Sequence, residues 1–406
     1  MPRLSIEVLR SFSNRRPLVP LLLRQARSVG QAYSEYRWLR EFVLSLPQFK
    51  NSPYNRYQYL KLLCRRRALG VPLQYLLKTQ PFGEVDILCA KGALIPRPET
   101  EETVFRVFEG LQAQISSKNI PRPEKQLRVL DLCTGPGSIS LLAANLLQKS
   151  NLPAGFRILG VDVSEKALKL AQRSLEYNVT KNSLQKTTRE HVGFLKGDLL
   201  TSNRTQLYEK ISSFFGLKDD KTLGIVISNP PYISPTGYWK ETARSVRLFE
   251  PKLALVPLAT HNLVSEYQED LFYPIVEDVA QYFQAKALVL ETGGGEQSER
   301  VQAMLKTKGW ETSIWTDFAG IQRNVVAWQK NSEWKWLREP ENDFPVYQFN
   351  PEICQNIVQP FTESQVDRAE LFTCELCKKQ EEDIARANEE RAKAEIEAEA
   401  LLERTR

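Results

Sequence analysis

Between residues 127 and 328 the chain alternates short apolar, β-prone runs with stretches of helical period, and this alternation constrains the fold most. Arg128-Val129-Leu130-Asp131-Leu132, Arg157 to Asp162, Val192 to Lys196, Leu223 to Ser228 and Lys286 to Glu291 read as strands. Ser138 to Ala144, Glu165 to Tyr177 and Glu296 to Thr307 read as helices between them. Glu311 to Trp315 and Asn324 to Trp328 form a closing strand pair around Asp317-Phe318-Ala319-Gly320. Alternating β and α with glycines at the strand exits predicts an α/β, doubly wound, Rossmann-like sheet. Ligands of such sheets bind beyond the carboxyl ends of the strands.

The strand exits carry the informative residues. Leu127 to Leu132 runs into Cys133-Thr134-Gly135-Pro136-Gly137, a turn whose glycines let a ligand approach backbone N–H groups. Here an acid, Asp131, ends the strand ahead of the glycines, unlike the dinucleotide fingerprint Gly-x-Gly-x-x-Gly. A carboxylate there repels a pyrophosphate and suits a cationic ligand. Asp162 closes the next strand about 25 residues beyond Gly137, the place of the ribose-binding carboxylate in doubly wound folds. Gly197-Asp198-Leu199 is the third exit, where an Asp can accept from an adenine amino group.

The fourth exit is Asn229-Pro230-Pro231-Tyr232, after Ile225-Val226-Ile227-Ser228. Proline cannot donate to a sheet ladder, so the strand stops there and presents Asn229 at its lip. An amide or exocyclic amino nitrogen is a poor nucleophile, but it has two hydrogens to donate. The Asn229 oxygen and the Pro230 carbonyl can accept both and aim the lone-pair face at an electrophile. Tyr232 offers a flat wall for a planar group. Taken alone, the stretch fits an ordinary Pro-Pro turn equally well.

The flanks differ from this core. Six Arg against one acid, Glu7, in residues 1–30 predict a mitochondrial transit peptide, although a basic first helix has the same composition. Residues 31–80 read as a small helical recognition domain, with Arg65-Arg66-Arg67 on a solvated face. Residues 81–96 read as a β-hairpin linker, Phe82 to Ile87 and Ala93 to Ile95, turning at Lys91-Gly92. Thr100, followed by acids, marks a helix start after the prolines. Residues 97–330 form the main domain, and 331–406 an extension with a charged helix from Lys378 to Arg406. Cys374 and Cys377 have the spacing of half a zinc site with no second pair, so no metal is expected. With only His191 and His261, chemistry based on imidazole is not expected either.

Five motifs in order resemble those of HemK/PrmC-type protein-(glutamine-N5) methyltransferases. They are Leu94-Ile95-Pro96-Arg97-Pro98-Glu99-Thr100-Glu101, Asp131 to Gly137, Asn229 to Tyr232, Phe249-Glu250-Pro251 with Ala254-Leu255, and Asp317 to Gly320 with Arg323. The resemblance implies a class I S-adenosylmethionine-dependent methyltransferase domain behind a helical domain that docks a peptide chain release factor. It implies methylation of the glutamine N5 in the Gly-Gly-Gln motif of that factor. With the leader, the expected place is the mitochondrial matrix, and the expected form is a monomer without direct nucleic-acid or membrane partners. Carried over by motif, Asp131, Cys133, Thr134, Gly135, Pro136, Gly137, Asp162, Asp198, Leu199 and Asn229 would hold S-adenosylmethionine. Asn229, Pro230, Pro231 and Tyr232 would hold the glutamine amide, with Asn229, Pro230 and Tyr232 as the catalytic set. Two departures point to weaker cofactor affinity: Cys133 where the family often has Gly, and Pro136, which removes an N–H. Nucleic-acid amino methyltransferases share the Asn-Pro-Pro-Tyr logic but usually carry a basic, aromatic-interleaved region. Ribosomal-protein glutamine methyltransferases are nearer relatives, set apart only by the Pro-Arg-Pro-Glu-Thr loop.

Overall fold

The computed structural model describes residues 17–338 apart from 27, 51, 118–124, 151, 153, 219 and 259–266. Of the expected extension only residues 331–338 are described, and Trp334 and Leu337 there are buried in the core of the sheet. The rest, with Cys374 and Cys377, lies outside the described residues, as do His261 and the first 16 residues of the expected leader. The chain divides into two units, one of residues up to 77 with Arg244–Phe249, the other from residue 78 with that segment left out.

The first unit is helical, with Val19–Leu22, Val29–Ser45, Pro53–Ala68 and Leu73–Leu77. Ser28 and Ser52 cap the two long helices through their side chains, and Pro53 takes the first-turn position that needs no N–H. Leu39, Val43, Leu60, Leu63 and Leu76 fill the core. Arg67, expected on a solvated face, instead grips the buried Glu35 through Nε at 2.7 Å and Nη2 at 2.9 Å. Such a two-pronged pair satisfies a carboxylate that burial would otherwise penalise. Leu18, Val19 and Leu22 are also buried here, so the packed unit already includes residues 18–22, within the expected leader.

The second unit opens with an antiparallel hairpin, β1 (Thr79–Phe82) and β2 (Val85–Leu88). Its turn is Gly83-Glu84, which corrects the expected turn at Lys91-Gly92: Ala93 to Ile95 is not a strand. Gly83 has φ +57°, and a Cβ there would lie 2.5 Å from Leu142. The tight turn therefore packs against the Ser138–Lys149 helix, where only glycine fits.

The remaining strands are β3 (Leu127–Leu132), β4 (Phe156–Asp162), β5 (Val192–Lys196), β6 (Ile225–Ser228), β7 (Ala287–Glu291), β8 (Glu311–Thr316) and β9 (Gln322–Trp328). They form one sheet in the order β5-β4-β3-β6-β7-β9-β8, parallel except for β9, which runs antiparallel to both neighbours. This is the doubly wound sheet that the alternation predicts. Side chains alternate between its faces. Val129, Ile225, Ile227 and Val289 pack with the Pro98–Ser116 and Ser138–Lys149 helices. Leu130, Val226, Leu288 and Leu290 pack on the opposite face with Phe272–Tyr282 and Thr205–Phe215. The order reverses at β3, so the crevice beyond the ends of β3, β4 and β6 is where a ligand fits.

Candidate active site

A cavity opens at that reversal. Its wall includes Cys133 to Pro136, Asp162, Asp198, Leu199, Asn229 and Pro231, together with Gly92 to Leu94, Arg97 and Thr100 from the loop and helix after the hairpin. Asp131, Gly137, Pro230 and Tyr232 are not on the wall. Asp131 is fully buried behind the turn, where its Oδ2 accepts from Thr134 Oγ1 at 2.6 Å and Ser140 Oγ at 2.7 Å. Among the described residues its Oδ1 has no hydrogen-bond partner. Burial pushes this carboxyl up to about 7, although the hydrogen bonds from Ser140 and Thr134 oppose the shift. Gly137 starts the following helix at φ +84°.

The turn is locked from the neighbouring strand. Asp162 Oδ2 accepts from the Gly135 N–H at 2.8 Å, and Oδ1 accepts from the Ser164 N–H at 2.8 Å. Cys133 has φ +62°, the left-handed conformation that glycine adopts without strain. This gives a physical reason for glycine at that place. Burial, and then the Asp162 and Asp131 carboxylates, push the Cys133 thiol well up, which keeps it protonated and unreactive. Asp198 is exposed on the wall and caps the Leu200 N–H at 2.9 Å.

Asn229 reaches sideways. Its Nδ2 donates to Thr100 Oγ1 at 3.1 Å, and Thr100 Oγ1 donates to Glu291 Oε2 at 2.6 Å. Glu291 Oε1 accepts from the Tyr232 hydroxyl at 3.2 Å. Burial and the Glu291 carboxylate push the Tyr232 hydroxyl strongly up, so it stays protonated and cannot serve as a base. The Pro98–Ser116 helix begins two residues before the expected start at Thr100, with Pro98 in its first turn. Thr100 is thereby released from capping and turned toward Asn229. His191 sits at the far end of the sheet, just before β5, against Phe156.

Three residues of this region were not expected as site residues. Glu291 ends β7, and the pairing of Ser228 with Leu290 sets it level with Asn229. Its signal was the same as that of Asp162: an acid closing an apolar strand. Glu250 accepts from the Ile95 N–H at 2.9 Å and from Arg97 Nη2 at 2.8 Å, pinning the loop that lines the cavity. Thr100 was legible only as a helix start. The Asp317 motif is a closed turn: Asp317 Oδ1 accepts from the Ala319 and Ile321 N–H groups, and Oδ2 from Arg323.

No family model matches the chain. Among curated proteins it is 32% identical over 317 residues to a probable MRF1 mitochondrial N(5)-glutamine methyltransferase of Schizosaccharomyces pombe, covering 78% of this chain and 93% of that protein. A mitochondrial MRF1 N(5)-glutamine methyltransferase of Saccharomyces cerevisiae is 33% identical, over 70% of this chain and 78% of its own length. A release factor glutamine methyltransferase of Thermodesulfovibrio yellowstonii is 30% identical, over 67% and 82%. The chain belongs to the glutamine-N5 methyltransferase family. It is an enzyme, its cofactor is S-adenosylmethionine, and it sits with the mitochondrial members.

The cavity of this methyltransferase fits that cofactor. Two carboxylates stand on the wall, Asp162 and Asp198; such groups can accept from hydroxyl and amino groups and suit a cation, whereas a pyrophosphate would be repelled. At Gly135 nothing lies within 4 Å of where a Cβ would stand, so the backbone is open to close approach. The orphaned Asp131 oxygen behind the turn would be stabilised by the positive charge of a cationic ligand in the cavity.

Proposed function

We propose that the enzyme methylates the side-chain amide nitrogen of the glutamine in the Gly-Gly-Gln motif of a mitochondrial peptide chain release factor, in the matrix. The substrate reading rests on the activities for which the yeast and bacterial relatives are named. The observation that carries the chemistry is the hydrogen bond from Asn229 Nδ2 to Thr100, which leaves the Asn229 oxygen as the acceptor for a substrate NH₂ beside the cofactor cavity. Asp162 would take the ribose hydroxyls, Asp198 with Leu199 the adenine, and the Cys133 to Gly137 turn, backed by Asp131, the methionyl end. S-adenosylmethionine supplies an electrophilic methyl group on a sulfonium, which needs no acid to activate it.

The protein then has one task, orientation. Asn229 Oδ1 and the Pro230 carbonyl accept the two amide hydrogens and turn the nitrogen lone pair toward the methyl group. Pro231 and Tyr232 hold that lip in place. With Tyr232 and Cys133 both kept protonated, neither takes the amide proton, which leaves to water during or after transfer. The test is incubation with methyl-labelled S-adenosylmethionine, a release factor and RNA, followed by peptide mapping. Label on the glutamine of Gly-Gly-Gln is the expected result; label on RNA, or on another protein residue, would contradict it.

A further inference from the structure

Thr100 and Glu291 lie behind Asn229 in an arrangement with only one consistent direction. The Thr100 hydroxyl has one proton. An ionised Glu291 can only accept, and its Oε2 is 2.6 Å from that hydroxyl, so the proton points there. What Thr100 offers Asn229 is therefore a lone pair, and the Asn229 nitrogen must face it. The amide oxygen is left on the opposite branch. The same carboxylate takes the Tyr232 hydroxyl through Oε1, so one side chain ties down both ends of Asn229-Pro230-Pro231-Tyr232. Glu291 is itself fixed: it is buried, its backbone pairs with Asn324, and its carbonyl accepts from the Tyr273 hydroxyl at 3.1 Å.

We propose that Thr100 and Glu291 are positioning residues that hold the Asn229 amide in the single orientation able to accept the substrate NH₂. The proposal rests on the substrate reading above. Without the relay, Asn229 can turn its nitrogen toward the substrate, and two donors then face each other. A protonated Glu291 would act in the same way. It could donate to Thr100, whose own proton would then be free to point at Asn229. The charged groups facing Glu291 are Arg323 from β9 and Glu99 from the Pro98–Ser116 helix; Thr100, Tyr232 and Tyr273 face it as neutral donors. Burial dominates this set and pushes the Glu291 carboxyl up to about 7, above the ordinary 4.5. The relay is therefore fully formed above that pH and lost below it.

The test compares wild type, T100V, T100S and E291Q on an intact release factor, with kcat, KM, the S-adenosylmethionine dissociation constant and the melting temperature measured for each. T100V keeps the shape and removes the hydroxyl. It should lose on the order of 10- to 100-fold in kcat, more than it loses in cofactor affinity, as a small misorientation does. T100S should recover most of that loss. E291Q, which cannot ionise, should lack the fall in kcat that wild type shows as pH drops below about 7. T100V with wild-type kcat, T100S as impaired as T100V, or E291Q with an unchanged acid limb would each overturn the relay. Wild type that leaves the release factor unlabelled would overturn the substrate reading itself, and the relay with it.

Discussion

Glu250 holds the Arg97 guanidinium at 2.8 Å across 153 residues of sequence, and with its other oxygen it holds the Ile95 N–H. The loop that carries Arg97 lines the cofactor cavity, so Glu250 shapes a wall on which it does not itself stand.

Replacing Glu250 by Ala would leave the Ile95 N–H buried and unpaired, at about 1–3 kcal/mol. Arg97 is partly solvated, so its lost ion pair adds only about 0–1 kcal/mol. Chemical denaturation should show this loss of stability, and calorimetry a weakened affinity for S-adenosylmethionine. Unchanged cofactor affinity would separate Glu250 from the cavity.

The N-terminal boundary can be tested by truncation. Removing residues 2–27 deletes Leu18, Val19 and Leu22, each worth roughly 1.5–3 kcal/mol of burial. That is comparable with the whole stability of a small domain. A protein lacking 2–27 should therefore show a helical unit sensitive to proteolysis, while one lacking 2–16 keeps these side chains and should resist. Equal resistance of the two would contradict the packing described.

Cys133 should reverse an ordinary ranking. Alanine normally beats glycine in a folded segment, but at φ +62° a side chain costs about 1–2 kcal/mol. The entropy cost of glycine is smaller, about 0.5–1 kcal/mol. C133G should thus be at least as stable as C133A in equilibrium unfolding. A C133A variant more stable by over 1 kcal/mol would argue against the left-handed turn.

Asp131 ties stability to pH. Its carboxyl ionises near 3.8 ordinarily and near 7 when folded, so between these values the folded state holds more protons than the unfolded. Stability from this group therefore falls as pH rises through that window, by at most about 1.4 kcal/mol per pH unit. D131N, which cannot ionise, should gain stability relative to wild type from pH 5 toward pH 7. A constant difference over that range would show an ordinary carboxyl.

How much could be read in advance differs from element to element. Four strands, β3 to β6, were legible because each is a largely apolar run that ends beside Asp131, Asp162, Asp198 or the prolines after Asn229. The hairpin was not: Gly83-Glu84 and Lys91-Gly92 are equally good turns, and the close packing of Gly83 on Leu142 decides between them. Arg67 looked solvated because its partner, Glu35, is a helix away in sequence. The carboxylates behind the site, Glu250 and Glu291, act on residues 59 to 191 positions away, and only the parallel register of β6 and β7 brings Glu291 to Asn229. The Thr205–Phe215 and Phe272–Tyr282 helices, which cover one face of the sheet, went unread.

The central claim is that Asn229 catalyses by orientation alone. The most direct measurement is kcat of Asn229→Ala on an intact release factor under saturating S-adenosylmethionine, with the fold checked by thermal melting. Loss of the oriented acceptor should lower kcat at least about 100-fold at an unchanged melting temperature. An alanine variant that turned over at close to the wild-type rate would contradict the account.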